Sequence, residues 1–305
     1  MPNLAPVVLF IYNRPEHTRR ALVSLAANPL AIESDLIIYA DGPKSSRDEA
    51  SVRRSREVAR SAAGFRSVRL VEREANIGLA NSIVTGVSET CDTHGRVIVV
   101  EDDLVITPQF LQFVNAGLER YEDSPQVYQI SGYLFPGCEG AGHPRFLPLT
   151  TTWGWATWQR AWKHFDAGLS SIGRLRSDTV FRNRFDLNGA YDYSGMIERQ
   201  EKGAIDSWGI RWYLSVFARD GLTLYPGQSL IENIGFDGSG THGGGHSSLT
   251  RRIGLEQRSF DLASLPQNFD VDIECIGAIE RLLGAMNQEG QRRFGMRRLR
   301  TWLKI

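Results

Sequence analysis

No run of about 18 apolar residues occurs anywhere in this 305-residue chain, so no segment of the sequence is built to cross a membrane as a helix. Met1 to Asn13 carries no cationic stretch of the kind that opens an export signal, which sets the cytoplasm as the expected location. Neither sign of charge dominates: Lys plus Arg is 35 and Asp plus Glu is 35. A polyanion held by phosphate contacts needs a basic field, so nucleic acid is excluded as a partner class. Cysteine is scarce. Cys91, Cys138 and Cys275 are far apart and none belongs to a C-x-x-C pair, which reads as reduced, structural thiols and argues against zinc or redox chemistry. Signature motifs are missing too. There is no G-x-x-x-x-G-K-[ST], no G-x-G-x-x-G after the first strand and no G-x-S-x-G elbow, so P-loop, dinucleotide and α/β-hydrolase chemistries are disfavoured. What remains is a chain 42% hydrophobic and 23% charged, within the range of folded globular proteins.

The first hundred residues alternate between short apolar runs and amphipathic stretches. Val7 to Tyr12 is continuously apolar, as in a parallel strand buried on both faces. Arg14 to Ala27 reads as a helix with Pro15 at its start, Asp35 to Ala40 as a strand, and Ser46 to Ala63 as a polar helix. Val68 to Glu72, Ala80 to Glu89 and Val97 to Val100 continue as strand, helix and strand. Such alternation predicts an α/β fold with a doubly wound, mostly parallel sheet. Beyond it, Pro108 to Tyr121 and Ile205 to Ala218 read as helices, Val127 to Ser131 and Leu222 to Tyr225 as strands, and Pro136 to Pro148 as a Gly/Pro loop. The organisation expected is a single domain over residues 1–250, with a nucleotide-binding half at 1–105, an acceptor half at 106–250 and a helical extension at 251–305.

Ligands of such sheets sit beyond the carboxyl ends of the strands. The residues there are Asn13-Arg14, Asp41, Asn76 and Glu101-Asp102-Asp103. Three adjacent carboxylates repel one another unless a cation or ligand compensates them. Hard oxygen donors suit Mg²⁺ or Mn²⁺, which take one or two carboxylates together with substrate phosphate oxygens. A metal-bound diphosphate is therefore the expected ligand, with a solvated acidic turn as the alternative. Four of seven tryptophans fall between Trp153 and Trp162. Indole faces stack on pyranose rings, so Trp153, Trp155 and Trp158 can form a sugar platform; each can equally be core.

Taken in order, Asn13-Arg14-Pro15, Tyr39-Ala40-Asp41-Gly42, Asn76-Ile77-Gly78-Leu79, Val99 to Leu104, Trp153-Gly154-Trp155 and Asn233 to His242 resemble a bacterial GT-A glycosyltransferase. The likeness is to family-2-like enzymes and the branch that includes N-acetylglucosaminyltransferase I. It implies a Rossmann-like GT-A fold with an acceptor-binding second half. The implied reaction is metal-dependent, inverting transfer of a sugar from a nucleotide-diphosphate donor to a hydroxyl of a saccharide, lipid-linked or other acceptor, as in polysaccharide or glycolipid assembly. It places Arg14 against the nucleotide, Asp41 on the base and Asn76 with the donor-binding residues. It makes Glu101-Asp102-Asp103 the counterpart of the family's D-x-D, with Asp102 on the ribose or donor sugar and Asp103 on the metal; Glu in first position departs from that pattern. It also makes His242, with His246 as substitute, a metal ligand on the glycine-rich stretch Gly235 to His246. Asp206 is the expected general base, with Asp237 as rival and helix capping as the competing role.

Competing functions are a sugar nucleotidyltransferase, which needs a Gly-rich basic loop after the first strand, and a non-catalytic sugar-binding module, which leaves three carboxylates without a reason. The tail Arg292 to Ile305 has basic and apolar residues and no acid. It reads either as a segment lying on the inner face of an anionic membrane or as a last helix with a solvated basic face.

Overall fold

The computed structural model describes residues 4–139, 142–237, 248–250, 253 and 261–302. Strands β1 (Val7–Ile11), β2 (Asp35–Ala40), β3 (Ser67–Glu72) and β4 (Arg96–Glu101) run parallel in the order β3-β2-β1-β4. They are joined through α1 (Pro15–Ala26), α2 (Glu49–Arg60) and α3 (Leu79–His94). The apolar runs explain which strands are inside: all of β1 and the four apolar residues Val97 to Val100 of β4 are buried, while β3 at the sheet edge is largely exposed. Helix α1 has Pro15 in its first turn, where the missing N–H costs no hydrogen bond, and turns Ala21, Leu22 and Leu25 inward.

The same sheet continues with β8 (Trp155–Trp158), β6 (Val127–Ser131), β9 (Leu222–Tyr225) and β7 (Arg145–Leu147), giving eight strands in the order β3-β2-β1-β4-β8-β6-β9-β7. Strand β8 is antiparallel to both β4 and β6, and β7 is antiparallel to β9. The rest are parallel, so the fold is a mixed α/β fold with a mostly parallel central sheet. A small antiparallel pair, β5 (Leu104–Ile106) with β10 (Ile231–Asn233), stands outside it.

The second half of the chain departs from the sequence expectation in several places. The Gly/Pro loop contains β7, whose Arg145, Phe146 and Leu147 are buried against β9. The tryptophan cluster is mostly strand β8 and the short helix α5 (Gln159–Trp162). The intervening chain forms α4 (Phe110–Arg120), α6 (Ile172–Ser177), α7 (Thr179–Phe185), α8 (Tyr193–Glu201) and α9 (Trp208–Phe217). The last helix, α10 (Ile273–Trp302), enters through a bridge between Val271 and Phe146 and buries Cys275, Ile279 and Leu283 in the core that the sheet shares. Among the described residues no helix is long and apolar enough to cross a membrane.

Candidate active site

The acidic triplet lies where the first four parallel strands end. Glu101 is the last residue of β4, and Asp102-Asp103 form the turn into β5. Asp102 is buried and accepts the backbone N–H of Tyr12, the residue after β1, at 3.3 Å. Asp103 accepts from the Arg14 guanidinium at 3.3 Å. Burial, reinforced by the Asp103 carboxylate, pushes Asp102 up to about 7, against the pull of Arg14 and the Tyr12 N–H. Burial also raises Asp103, opposed by Arg14 and His17, and raises Glu101 well above the carboxylate range, with Asp103 and then Asp102 adding to it. One arginine thus leaves the cluster with more negative charge than its surroundings accommodate.

The late segment of the chain is laid across this turn. The antiparallel register pairs Asn233 with Leu104, and the Ile234 N–H donates to the Asp103 carbonyl at 2.8 Å. A Cβ on Gly235 would sit 2.4 Å from Asp103 Oδ2, so only glycine brings the backbone this close to the carboxylate. Phe236 then meets the edge of Trp153 at 5.8 Å, and Asp237 approaches His17 Nε2 at 3.3 Å, an ion pair whenever the imidazole is protonated. His242 and His246 lie outside the described residues. His17 went unnoticed in sequence, although it stands three residues after Arg14, the spacing that puts two side chains on one helical face.

Asp41 and Asn76 are engaged within the fold. Buried Asp41 accepts three backbone N–H groups, from Gly42 at 3.0 Å, Ile77 at 3.0 Å and Gly78 at 3.1 Å. Asn76 donates its amide N–H to the Gly42 carbonyl at 2.9 Å. A Cβ on Gly42 would come 2.5 Å from the Ala75 carbonyl carbon. Together they clasp the turn after β2 to the turn before α3 at the strand-end rim.

The tryptophans separate into two groups. Trp153 is half-buried and edges onto Tyr133 at 4.7 Å, at the carboxyl end of β6 and beside Phe236. Trp155 contradicts the expected sugar contact: it is fully buried, stacked on Trp208 at 5.3 Å and flanked by Trp162 and Trp212. Its ring faces are taken because β8 is an interior strand, and alternate residues of an interior strand face the helical layer. Trp158 is also buried, donating Nε1–H to the Leu118 carbonyl at 3.0 Å.

Asp206 is exposed and paired with Arg211 at 2.8 Å. It neither opens nor caps the helix, as the sequence reading allowed. Helix α9 begins at Trp208, and Ser207 is its N-cap, accepting from the Ile210 N–H. A Cβ on Gly209 would touch Thr152, so the start of α9 adjoins the Thr152-Trp153 segment.

Could these residues hold a divalent cation? Among the described residues no three His, Cys, Asp or Glu side chains form a metal-binding group. The donors present are the buried Asp102 and the part-exposed Asp103 carboxylates, hard oxygens with uncompensated charge. That set fits Mg²⁺ or Mn²⁺ in the mode where protein supplies one or two carboxylates and the substrate supplies the rest.

No protein-family model matches the chain, and no curated protein matches it. Among solved structures it is similar to mouse xyloside xylosyltransferase 1 in its apo form, at 10% identity over 70% of this chain and 81% of that one, with a TM-score of 0.36. It is similar to UDP-glucose pyrophosphorylase complexed with UDP-glucose, at 10% identity over 76% and 94%, TM-score 0.37. It also resembles S. aureus TarS at 14% identity, over 42% of this chain but only 21% of that one, TM-score 0.27.

Proposed function

We propose that the protein is a glycosyltransferase that moves a sugar from a nucleotide-diphosphate donor to an acceptor hydroxyl, with inversion at the anomeric carbon. The observation that carries this reading is the pair of under-compensated carboxylates at the parallel strand ends, Asp102 buried and Asp103 part-exposed, with Arg14 beside them. Such a site suits a cation–diphosphate ligand far better than a neutral one. Asp103 would hold Mn²⁺ or Mg²⁺, with His242 as the proposed further ligand, and the cation would neutralise the leaving diphosphate. Arg14 would add positive charge at the phosphates, and Asp102 would approach the ribose or donor sugar, with Glu101 beside it in the donor site. Asp41 and Asn76 shape the rim at which the base sits.

Trp153, the part-exposed ring of the 153–162 cluster, would offer the sugar platform, and Asp206 would accept the acceptor proton. As the new oxygen–carbon bond forms and the bond to the diphosphate breaks, that proton moves to the Asp206 carboxylate, which Arg211 orients. Incubation with a panel of nucleotide sugars and Mn²⁺ tests the reading. Release of nucleoside diphosphate is expected. Release of pyrophosphate would make the protein a nucleotidyltransferase, and release of neither would leave a sugar-binding module.

A further inference from the structure

Two of the three cysteines, separated by most of the second half of the chain, meet in the fold. Cys138 lies in the connection between β6 and β7, and Cys275 in the first turn of α10. Both are buried, and the Cys138 thiol lies 3.5 Å from the Cys275 carbonyl oxygen and interacts with the Cys275 thiol itself. Neither is held loosely. The Cys138 N–H donates to the Phe135 carbonyl at 3.2 Å, and the Cys275 N–H donates to Asp272 Oδ1 at 2.9 Å. Asp272 is fixed in turn by Arg145 at 3.0 Å and by its own N–H on the Phe146 carbonyl at 3.1 Å. The two thiols are thus held beside each other by anchored backbone on both sides.

We propose that Cys138 and Cys275 form a modification site, an intramolecular disulfide produced when a hydroperoxide oxidises the pair. The charge environment divides the roles. Interaction with Cys275, assisted by the Arg145 guanidinium, lowers Cys138, while the same interaction and burial raise Cys275. Cys138 as thiolate attacks a peroxide oxygen, the O–O bond breaks, and sulfenic acid forms as an alcohol or water leaves. The Cys275 sulfur then attacks the sulfenic sulfur; the S–S bond forms, the S–O bond breaks, and hydroxide departs with the Cys275 proton as water. Two thiols and one hydroperoxide give one disulfide, one water and one water or alcohol. The peroxide is reduced and the sulfurs are oxidised. Cys91, equally buried on α3, differs in its partners: burial pushes its thiol up to about 12, and it has no cysteine beside it.

The bond would fasten the first turn of α10 to the segment that also carries Tyr133, the ring against Trp153. The test uses the full wild-type chain treated with hydrogen peroxide, then denatured, alkylated and digested without reductant. A linked peptide joining Cys138 to Cys275 in the monomer, with Cys91 still alkylated, is expected, and the link should vanish on reduction. Phenylarsine oxide, which bridges neighbouring dithiols, supplies a second reading that needs no oxidant: it should bind the C91S protein at one equivalent and lose binding in C91S/C138A. Separate sulfinic acids without a linked peptide, links through Cys91, a link found only in a covalent dimer, or arsenical binding unchanged by C138A would each overturn the assignment.

Discussion

Asp102 shows how one carboxylate registers its surroundings. Its pKa is raised to about 7, first by burial, whereas in the unfolded chain it titrates near 4. Between those values the folded protein holds a proton that the unfolded chain releases, so the contribution of Asp102 to stability is greatest below pH about 4 and is lost as pH rises toward about 7. Glu101 and Asp103, raised in the same sense, add to the slope. In cation-free buffer the melting temperature should therefore decline across this window, Asp102→Asn should flatten the decline, and Mn²⁺ should oppose it at the alkaline end. A melting temperature independent of pH in both proteins would contradict the charge balance described for the site. The tryptophans give a second contrast. Trp155→Ala opens a cavity in the core and should cost about 3–5 kcal/mol in denaturant unfolding. Trp153→Ala should cost much less and instead raise the acceptor KM.

Elements decide which residues can act together. The start of α9 separates two roles within adjacent positions: Ser207 caps the helix and Asp206 does not. Ser207→Ala should lose about 1 kcal/mol of stability and keep kcat. Asp206→Asn should keep stability and lower kcat by about 100- to 10,000-fold with donor affinity intact. Equal kcat values in folded Asp206→Asn and wild-type protein would remove Asp206 from the mechanism. The clasp between the turn after β2 and the turn before α3 has no room for a side chain at Gly42. Gly42→Ala should cost roughly 1–3 kcal/mol from overpacking and weaken donor binding, measurable by calorimetric titration.

At the scale of the whole molecule, α10 is partly core. Leu265, Cys275, Ile279 and Leu283 are buried with the sheet. A chain ending after Gln288 should keep the wild-type melting temperature, whereas one ending after Phe260 should fail to fold cooperatively. Comparing the Gln288 truncation with the full chain in co-sedimentation with anionic vesicles also tests the tail: equal binding removes the membrane role for Arg292 to Ile305.

The signals legible in the amino-acid order are local. Continuous apolar runs such as Val7 to Ile11 announce buried parallel strands, Pro15 marks a helix start, and the carboxylates after Val97 to Val100 mark a strand-end site, because each signal is carried by neighbours in the chain. The non-local facts arise on folding. Strand β8 is inserted antiparallel between β4 and β6, which turns Trp155 from an apparent sugar platform into core. The Asn233 to Asp237 segment returns to Asp103 and His17, Asp41 turns its oxygens onto the amides of residues 42, 77 and 78, and Cys138 meets Cys275. These meetings arise from pairing and packing between segments far apart along the chain, and residue spacing carries no record of them.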